Sequence, residues 1–251
     1  MTRLVHAEWT KLFTTKVWLG LLLGACVMVA AFAVFFTAFA GNPEAGIPEV
    51  GTPLYEQLAL STAANANILF LILGIIGMTQ EYRHRTATPT FLTSPRRGSV
   101  VVSKLVAYAL VGALFGLVVV AVNYLTVLIH AGALGAAPAL DGDNLNTLFR
   151  SLVALTIYAV IGVGIGALLR NQVGAIVGGL VYLFVVEPII RSVPATSVAY
   201  KWMPGGALEA LTATFQGPDV LDAWQGGLLL VAYGLVAALL GYFLAVRRDV
   251  V

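Results

Sequence analysis

The sequence predicts an all-α integral membrane protein that crosses a lipid bilayer six times. Of its 251 residues, 59% are hydrophobic and only 10% are charged, whereas soluble domains carry roughly 25% charged residues. Six separate runs approach or exceed the roughly 20 apolar residues that a spanning helix needs. With both termini in the cytoplasm, eleven of the 14 lysines and arginines fall on the inner side, as the positive-inside rule requires.

The six predicted spans cover almost the whole chain, so we interpret residues 1–251 as one transmembrane domain. The spans are predicted over 17–40, 58–80, 100–129, 148–169, 173–190 and 226–246. The first run is longer than the roughly 7–15 apolar residues of a secretion signal and is therefore interpreted as a retained span. Only Arg150, Arg191 and Lys201 are left as basic residues on the outer side.

The N-terminal segment 1–16 has the pattern of an amphipathic helix. At 100° per residue, its apolar face consists of Leu4, Val5, Trp9, Leu12 and Phe13. Arg3 and Lys11 fall on the opposite side, which is typical of a helix that lies in the membrane interface. A plain basic flank that orients the first span is the alternative.

A mixed segment precedes the sixth span. It contains Trp202, Pro204 and two glycines, followed by the short apolar stretch 207–215. This stretch is too short to cross the bilayer and predicts a re-entrant or interfacial helix.

The sequence lacks the motifs of several function classes. It contains no G-x-x-x-x-G-K-[ST] loop for ATP, no G-x-S-x-G nucleophile motif and no H-E-x-x-H metal motif. His6, His84 and His130 are far apart, so no metal site and no cofactor are predicted in this chain. There is no basic patch for nucleic acid, and the single cysteine, Cys26, allows no disulfide within the chain.

Charge and small residues within the spans give two further signals. Glu187 lies near the outer end of the fifth span, where it either pairs with Arg191 or reaches water at a break before Pro188. No charge is predicted at the middle of a span, which argues against an ion-coupled carrier. Gly174 and Gly178 form a G-x-x-x-G motif for close helix packing, within or between chains.

The loop after the second span is the most informative segment. Thr88-Pro89 is a start signal for a short helix, and Ser94-Pro95 is an end signal. Phe91 and Leu92 lie between them in a basic loop, so we expect a knob for a cytoplasmic partner. The alternative is an orienting loop that contacts only lipid headgroups.

In several features the chain resembles the permease subunits of bacterial type-2 ATP-binding-cassette exporters. Its composition is similar to that of high-GC actinobacterial members. The loop signature Glu-Tyr-Arg-His-x-Thr over 81–86 is the most specific of these features, and the segment 90–97 follows it. The others are Glu8, Trp9 and Lys11 in the N-terminal helix, Lys104 at the start of the third span, and the segment 202–207.

This resemblance implies a division of labour in a bacterial cytoplasmic membrane. Two six-span chains, identical or similar, form the pathway, and a separate ATPase subunit binds ATP and Mg²⁺. The loop would dock on that ATPase through a coupling helix, and its contact residues would be Glu81, Tyr82, Arg83, His84, Arg85, Thr86, Phe91, Leu92, Arg96 and Arg97. In the family the second and fifth spans face the dimer axis, which makes Asn65, Asn67, Tyr182 and Glu187 candidates for lining the pathway.

Other function classes remain as alternatives to an ATP-driven permease. An ion-coupled secondary carrier is one, although the spans lack charge at their middle. An intramembrane enzyme would need a nucleophile beside a base, which the sequence does not offer. A non-transporting membrane scaffold is the third alternative.

Overall fold

The computed structural model describes residues 2–83, 97–212 and 220–247, excluding the side chains of residues 97, 241 and 244–247. Within these ranges the chain is helical and contains no strand. The helices are α1 (Thr2–Thr14), α2 (Val17–Ala38), α3 (Pro53–Ser61), α4 (Asn67–Arg83), α5 (Arg97–Ala133), α6 (Gly142–Leu169), α7 (Gln172–Val181), α8 (Glu187–Ser192), α9 (Ser197–Tyr200), α10 (Pro204–Thr212) and α11 (Ala223–Arg247). A 3₁₀ turn joins α3 to α4, and a π-helical turn joins α7 to α8.

Six of the described helical segments are long and apolar enough to cross a membrane, which confirms the predicted fold class. They are Val17–Ala38, Pro53–Arg83, Gly98–Ala133, Gly142–Leu169, Gln172–Ser192 and Ala223–Leu240. The second begins at Pro53 rather than at residue 58 because Thr52 caps it: Thr52 Oγ1 accepts a hydrogen bond from Tyr55 N at 3.2 Å. Apolar runs mark the span interiors, whereas polar caps set the ends.

The centre of the bundle is a close crossing of α4 and α6. A Cβ built at Gly162 would lie 2.1 Å from the Leu71 carbonyl oxygen, and one at Gly74 would lie 2.0 Å from the Ala159 carbonyl oxygen. The two backbones therefore touch only because glycine stands at both positions. This crossing fixes the second and fourth spans relative to each other.

A buried asparagine on α5 supports the 3₁₀ turn between α3 and α4. Asn123 is fully buried, and its Nδ2 donates to the Leu60 carbonyl at 3.0 Å. The Thr62 hydroxyl donates to Asn123 Oδ1 at 2.9 Å. The side chain thus satisfies backbone and hydroxyl groups where the helix departs from regular geometry, as a low-dielectric interior requires.

The outer layer of the bundle is formed by α2 and by the α7–α8 segment. Few of their apolar side chains are buried in the single chain, so lipid or another chain must cover them. The short helix predicted over 207–215 is α10, which begins earlier, at Pro204, and packs against α6 and α11. Its depth relative to a membrane stays a prediction.

Candidate functional site

Four charged side chains from three helices meet where α4 ends and α5 begins, and we call them the ion network. Glu8 and Lys11 come from α1, Glu81 from the last turn of α4, and Lys104 from two turns into α5. Lys11 Nζ lies 2.8 Å from Glu8 Oε1 and 2.7 Å from Glu81 Oε1. Lys104 Nζ lies 2.5 Å from Glu8 Oε2 and 3.2 Å from Glu81 Oε1. The charges of the two carboxylates and the two ammonium groups therefore cancel.

Burial makes this network energetically important. The Lys104 side chain is 0% exposed, and those of Glu8 and Glu81 are 4% and 5% exposed. Lys104 Nζ also donates to the Gly77 carbonyl at 3.2 Å. Removing one partner from such a pair strands the other charge without water, which typically costs about 3–5 kcal/mol.

Lys11 is the network member that also contacts solvent, with 39% of its side chain exposed. Burial acts to lower the pKa of Lys11, but the hydrogen bonds and charges of Glu8 and Glu81 outweigh burial and hold this pKa above its ordinary value. Lys11 is therefore charged at neutral pH and supplies half of the positive charge that the two carboxylates need.

Two members of the ion network flank the predicted docking loop in the sequence. Glu81 lies just before the segment 84–96 and Lys104 shortly after it, and the two side chains form an ion pair. The network therefore ties the two flanks of the loop to each other and to α1.

The described part of the predicted docking set divides into buried and exposed residues. Glu81 is a buried member of the ion network, and Arg83 is exposed. Tyr82 is half-buried, and its ring centroid lies 5.7 Å from the guanidinium carbon of Arg170. Tyr82, Arg83 and Arg170 line a cleft of about 380 Å³. The remaining docking residues and the coupling helix lie outside the described structure: His84, Arg85, Thr86, Phe91, Leu92, Arg96 and the side chain of Arg97.

Sequence reasoning missed the network itself, although the resemblance had named each member. The pattern placed α1 on the membrane surface, whereas Glu8 points into the bundle and is buried. A signal was present: Lys104 stands within the predicted third span, and a lysine inside an apolar run needs a carboxylate partner. Which carboxylate that is depends on tertiary structure, because Glu8 precedes Lys104 by 96 residues.

A second candidate site is a cavity of about 220 Å³ between the first, second and fifth spans, which we call the Glu187 cavity. It brings together three of the four predicted lining residues, Asn65, Asn67 and Glu187. The other described lining residues are Met28, Phe32, Ile68, Leu183, Phe184 and Gly205. Glu187 is 4% exposed, and its Oε1 accepts a hydrogen bond from Gly205 N at 3.0 Å.

The fourth predicted lining residue, Tyr182, lies behind the cavity against the Glu187 carboxyl. A π-helical turn over Tyr182–Val186 connects the two residues, and the Glu187 backbone N–H donates to the Tyr182 carbonyl. Pro188 follows directly and has no N–H for the regular ladder, which accounts for the wider turn.

The suggested pairing of Glu187 with Arg191 was wrong. Arg191 Nη1 lies 3.0 Å from Glu209 Oε1, on α10. Burial raises the pKa of Glu209, and the Arg191 guanidinium counteracts part of that effect. Among the described residues, no group of histidine, cysteine or acidic side chains is arranged to hold a metal ion.

Comparison with known proteins assigns the chain to a family. No curated protein matches it. Residues 4–186, from α1 into the fifth span, match the family described as ABC-2 family transporter protein. Since this match covers more than half of a chain with six candidate membrane spans, the protein belongs to the ABC-2 family of membrane transport permeases.

Proposed function

We propose that this chain is the permease subunit of an ATP-driven exporter in a bacterial cytoplasmic membrane, with both termini in the cytoplasm. It forms half of the translocation pathway, and a second permease chain, identical or similar, forms the other half. A separate ATPase subunit binds ATP and Mg²⁺ and docks on the loop over residues 81–97.

The ion network is the observation that carries the docking proposal. A loop can transmit movement from a partner to the spans only when its ends are fixed to them, so that the helices shift as rigid bodies. Glu81 and Lys104 provide that fixation on either side of the loop. Glu8 adds α1 to the same rigid unit through Lys104. Family membership supports the same division of labour.

The exposed face of α7 supports the proposal of a second permease chain. A Cβ built at Gly178 would meet nothing within 4 Å, and one at Gly174 would meet only Asn171. Val173 and Val177, on the same helix, are 71% and 51% exposed. Within the described structure this G-x-x-x-G motif is therefore unused, and an apolar helix of another chain fits it.

Replacing Phe91 and Leu92 together by aspartate is expected to abolish ATPase docking while the chain still inserts. Two charges on the apolar knob would have to be buried in the partner interface, which costs several kcal/mol when they are unpaired. The measurement is co-purification of the ATPase from membranes and ATP-dependent transport in vesicles. An ion-coupled carrier would transport without ATP.

The matched control is the pair Leu134 and Leu140, which are 64% and 56% exposed in the loop between α5 and α6. Aspartate at both of these positions should leave the ATPase bound, because the proposed topology places them on the outer side. Retained ATPase in the Phe91→Asp/Leu92→Asp variant would refute the loop as the docking site.

Cysteine labelling tests the proposed orientation. The chain has one cysteine, so a Cys26→Ala background allows single cysteines to be introduced. We expect an impermeant maleimide to label Gly142→Cys in intact cells and Arg85→Cys only after lysis. Gly142 lies at an exposed start of α6 with open space around it. Labelling of residue 85 from outside would overturn the orientation and the docking proposal with it.

A further inference from the structure

Among the four buried glutamates of the described chain, three are paired with a lysine or arginine and one is not. Glu8, Glu81, Glu187 and Glu209 are each 5% exposed or less. The first two are paired with Lys11 and Lys104, and Glu209 is paired with Arg191. The described structure gives Glu187 no lysine or arginine partner.

The contacts of Glu187 are dipolar rather than charged. They are the Gly205 N–H, 3.0 Å from Oε1, and the phenol of Tyr182. These groups hold the carboxyl in place but do not neutralise it. A buried carboxylate is stable when it is balanced by a positive charge or takes up a proton. A cationic ligand in the cavity would supply the positive charge that the described residues do not.

The local backbone aims this carboxyl at the cavity. The π-helical turn and Pro188 set its position along the helix. A Cβ built at Gly205 would lie 2.0 Å from Glu187 Oε2, so glycine at this position leaves the space that the carboxyl occupies. The rest of the described lining combines two asparagine amides with apolar side chains and the aromatic residues Phe32 and Phe184.

Such a lining suits a cation that also carries an apolar body. A carboxylate provides the counter-charge, and phenylalanine rings attract quaternary ammonium groups through their faces. The cavity, about 220 Å³, is smaller than the roughly 300–1,000 Å³ of pockets for drug-sized ligands. One chain therefore accommodates the head of such a ligand.

We propose that the Glu187 cavity binds the cationic head group of lipophilic amines or quaternary ammonium compounds, with Glu187 as the counter-charge. This inference rests on the proposed function, because it names the substrate class of the pathway.

The test is direct binding of tritiated benzyltrimethylammonium to the full chain in lipid nanodiscs. The wild type should bind this cation saturably, and the uncharged isostere neopentylbenzene should not displace it. Glu187→Gln keeps the acceptor for Gly205 N–H but loses the charge, so we expect affinity to fall at least about tenfold.

Glu209→Gln is the matched control, because Glu209 is equally buried but does not line the cavity. Its affinity for the cation should stay within about twofold of the wild type. Thermal unfolding and size-exclusion profiles establish that both variants are folded.

Three results would overturn the inference: no saturable binding by the wild type, equal affinity in Glu187→Gln, or displacement by the uncharged isostere. Binding is measured without ATP, so it is independent of ATPase docking. Failure of cation binding with an intact response of docking to Phe91→Asp/Leu92→Asp removes this inference alone. Cation binding without any ATPase partner removes the proposed function and leaves the cation site standing.

Discussion

Replacing Lys104 by methionine is expected to destabilise the folded chain by about 3–5 kcal/mol. The side chain is fully buried and contacts both Glu8 and Glu81, so its loss leaves two carboxylates with only the half-exposed Lys11. Thermal unfolding in detergent, followed by tryptophan fluorescence, measures the effect. Trp9 lies on the same helix as Glu8 and reports on α1.

A second variant separates the effect of charge from the effect of packing. In Glu8→Gln/Lys104→Met, the remaining Glu81 and Lys11 are again balanced, so this double variant should be more stable than Lys104→Met alone. Lys16→Met, at an exposed position before α2, should change stability by no more than about 0.5 kcal/mol. If the double variant were as unstable as the sum of Glu8→Gln and Lys104→Met measured singly, Glu8 would not be coupled to Lys104.

Replacing Gly162 by alanine is expected to cost about 3 kcal/mol, the upper end of the usual range for overpacking. The new Cβ would lie 2.1 Å from the Leu71 carbonyl oxygen and 3.0 Å from the Gly74 Cα. These neighbours are backbone atoms that cannot rotate away, so α4 and α6 must separate. The yield of monodisperse protein and its unfolding temperature are the measurements.

Gly178→Ala is the matched control on the outer layer of the same chain. Nothing lies within 4 Å of the position that its Cβ would take, and alanine favours the helix over glycine by up to about 1 kcal/mol. The single chain should therefore be as stable as the wild type or more stable. Equal destabilisation by both alanines would contradict the close crossing at Gly162.

The fold was predictable because spanning a membrane is a local property of the sequence. A run of about 20 apolar residues identifies a span wherever its neighbours lie. The ends were less predictable: the second span was predicted from residue 58 but starts at Pro53, because Thr52 caps it, and Glu56 lies in the added turn. A charge near a span end is compatible with helix, which composition alone does not show.

The candidate sites were predictable only in part, because they depend on tertiary contacts. Family resemblance named Glu8, Lys11, Glu81 and Lys104 as separate features, but their meeting requires α1 to fold back onto α4 and α5. For Glu187, the sequence left two alternatives open, a pair with Arg191 four residues away or contact with water at a helix break before Pro188. The π-helical turn and the docking of α10 direct these two side chains to different neighbours.

The loop-side ends of three helices share a single set of counter-charges. Pulling the end of α4 away from the start of α5 would break the contact between Glu81 and Lys104, and moving α1 alone would take Glu8 from Lys104. Each separation exposes a charge to an apolar interior at a cost of several kcal/mol. If a partner docks on the loop as proposed, its push would therefore move the second and third spans together and would carry α1 with them.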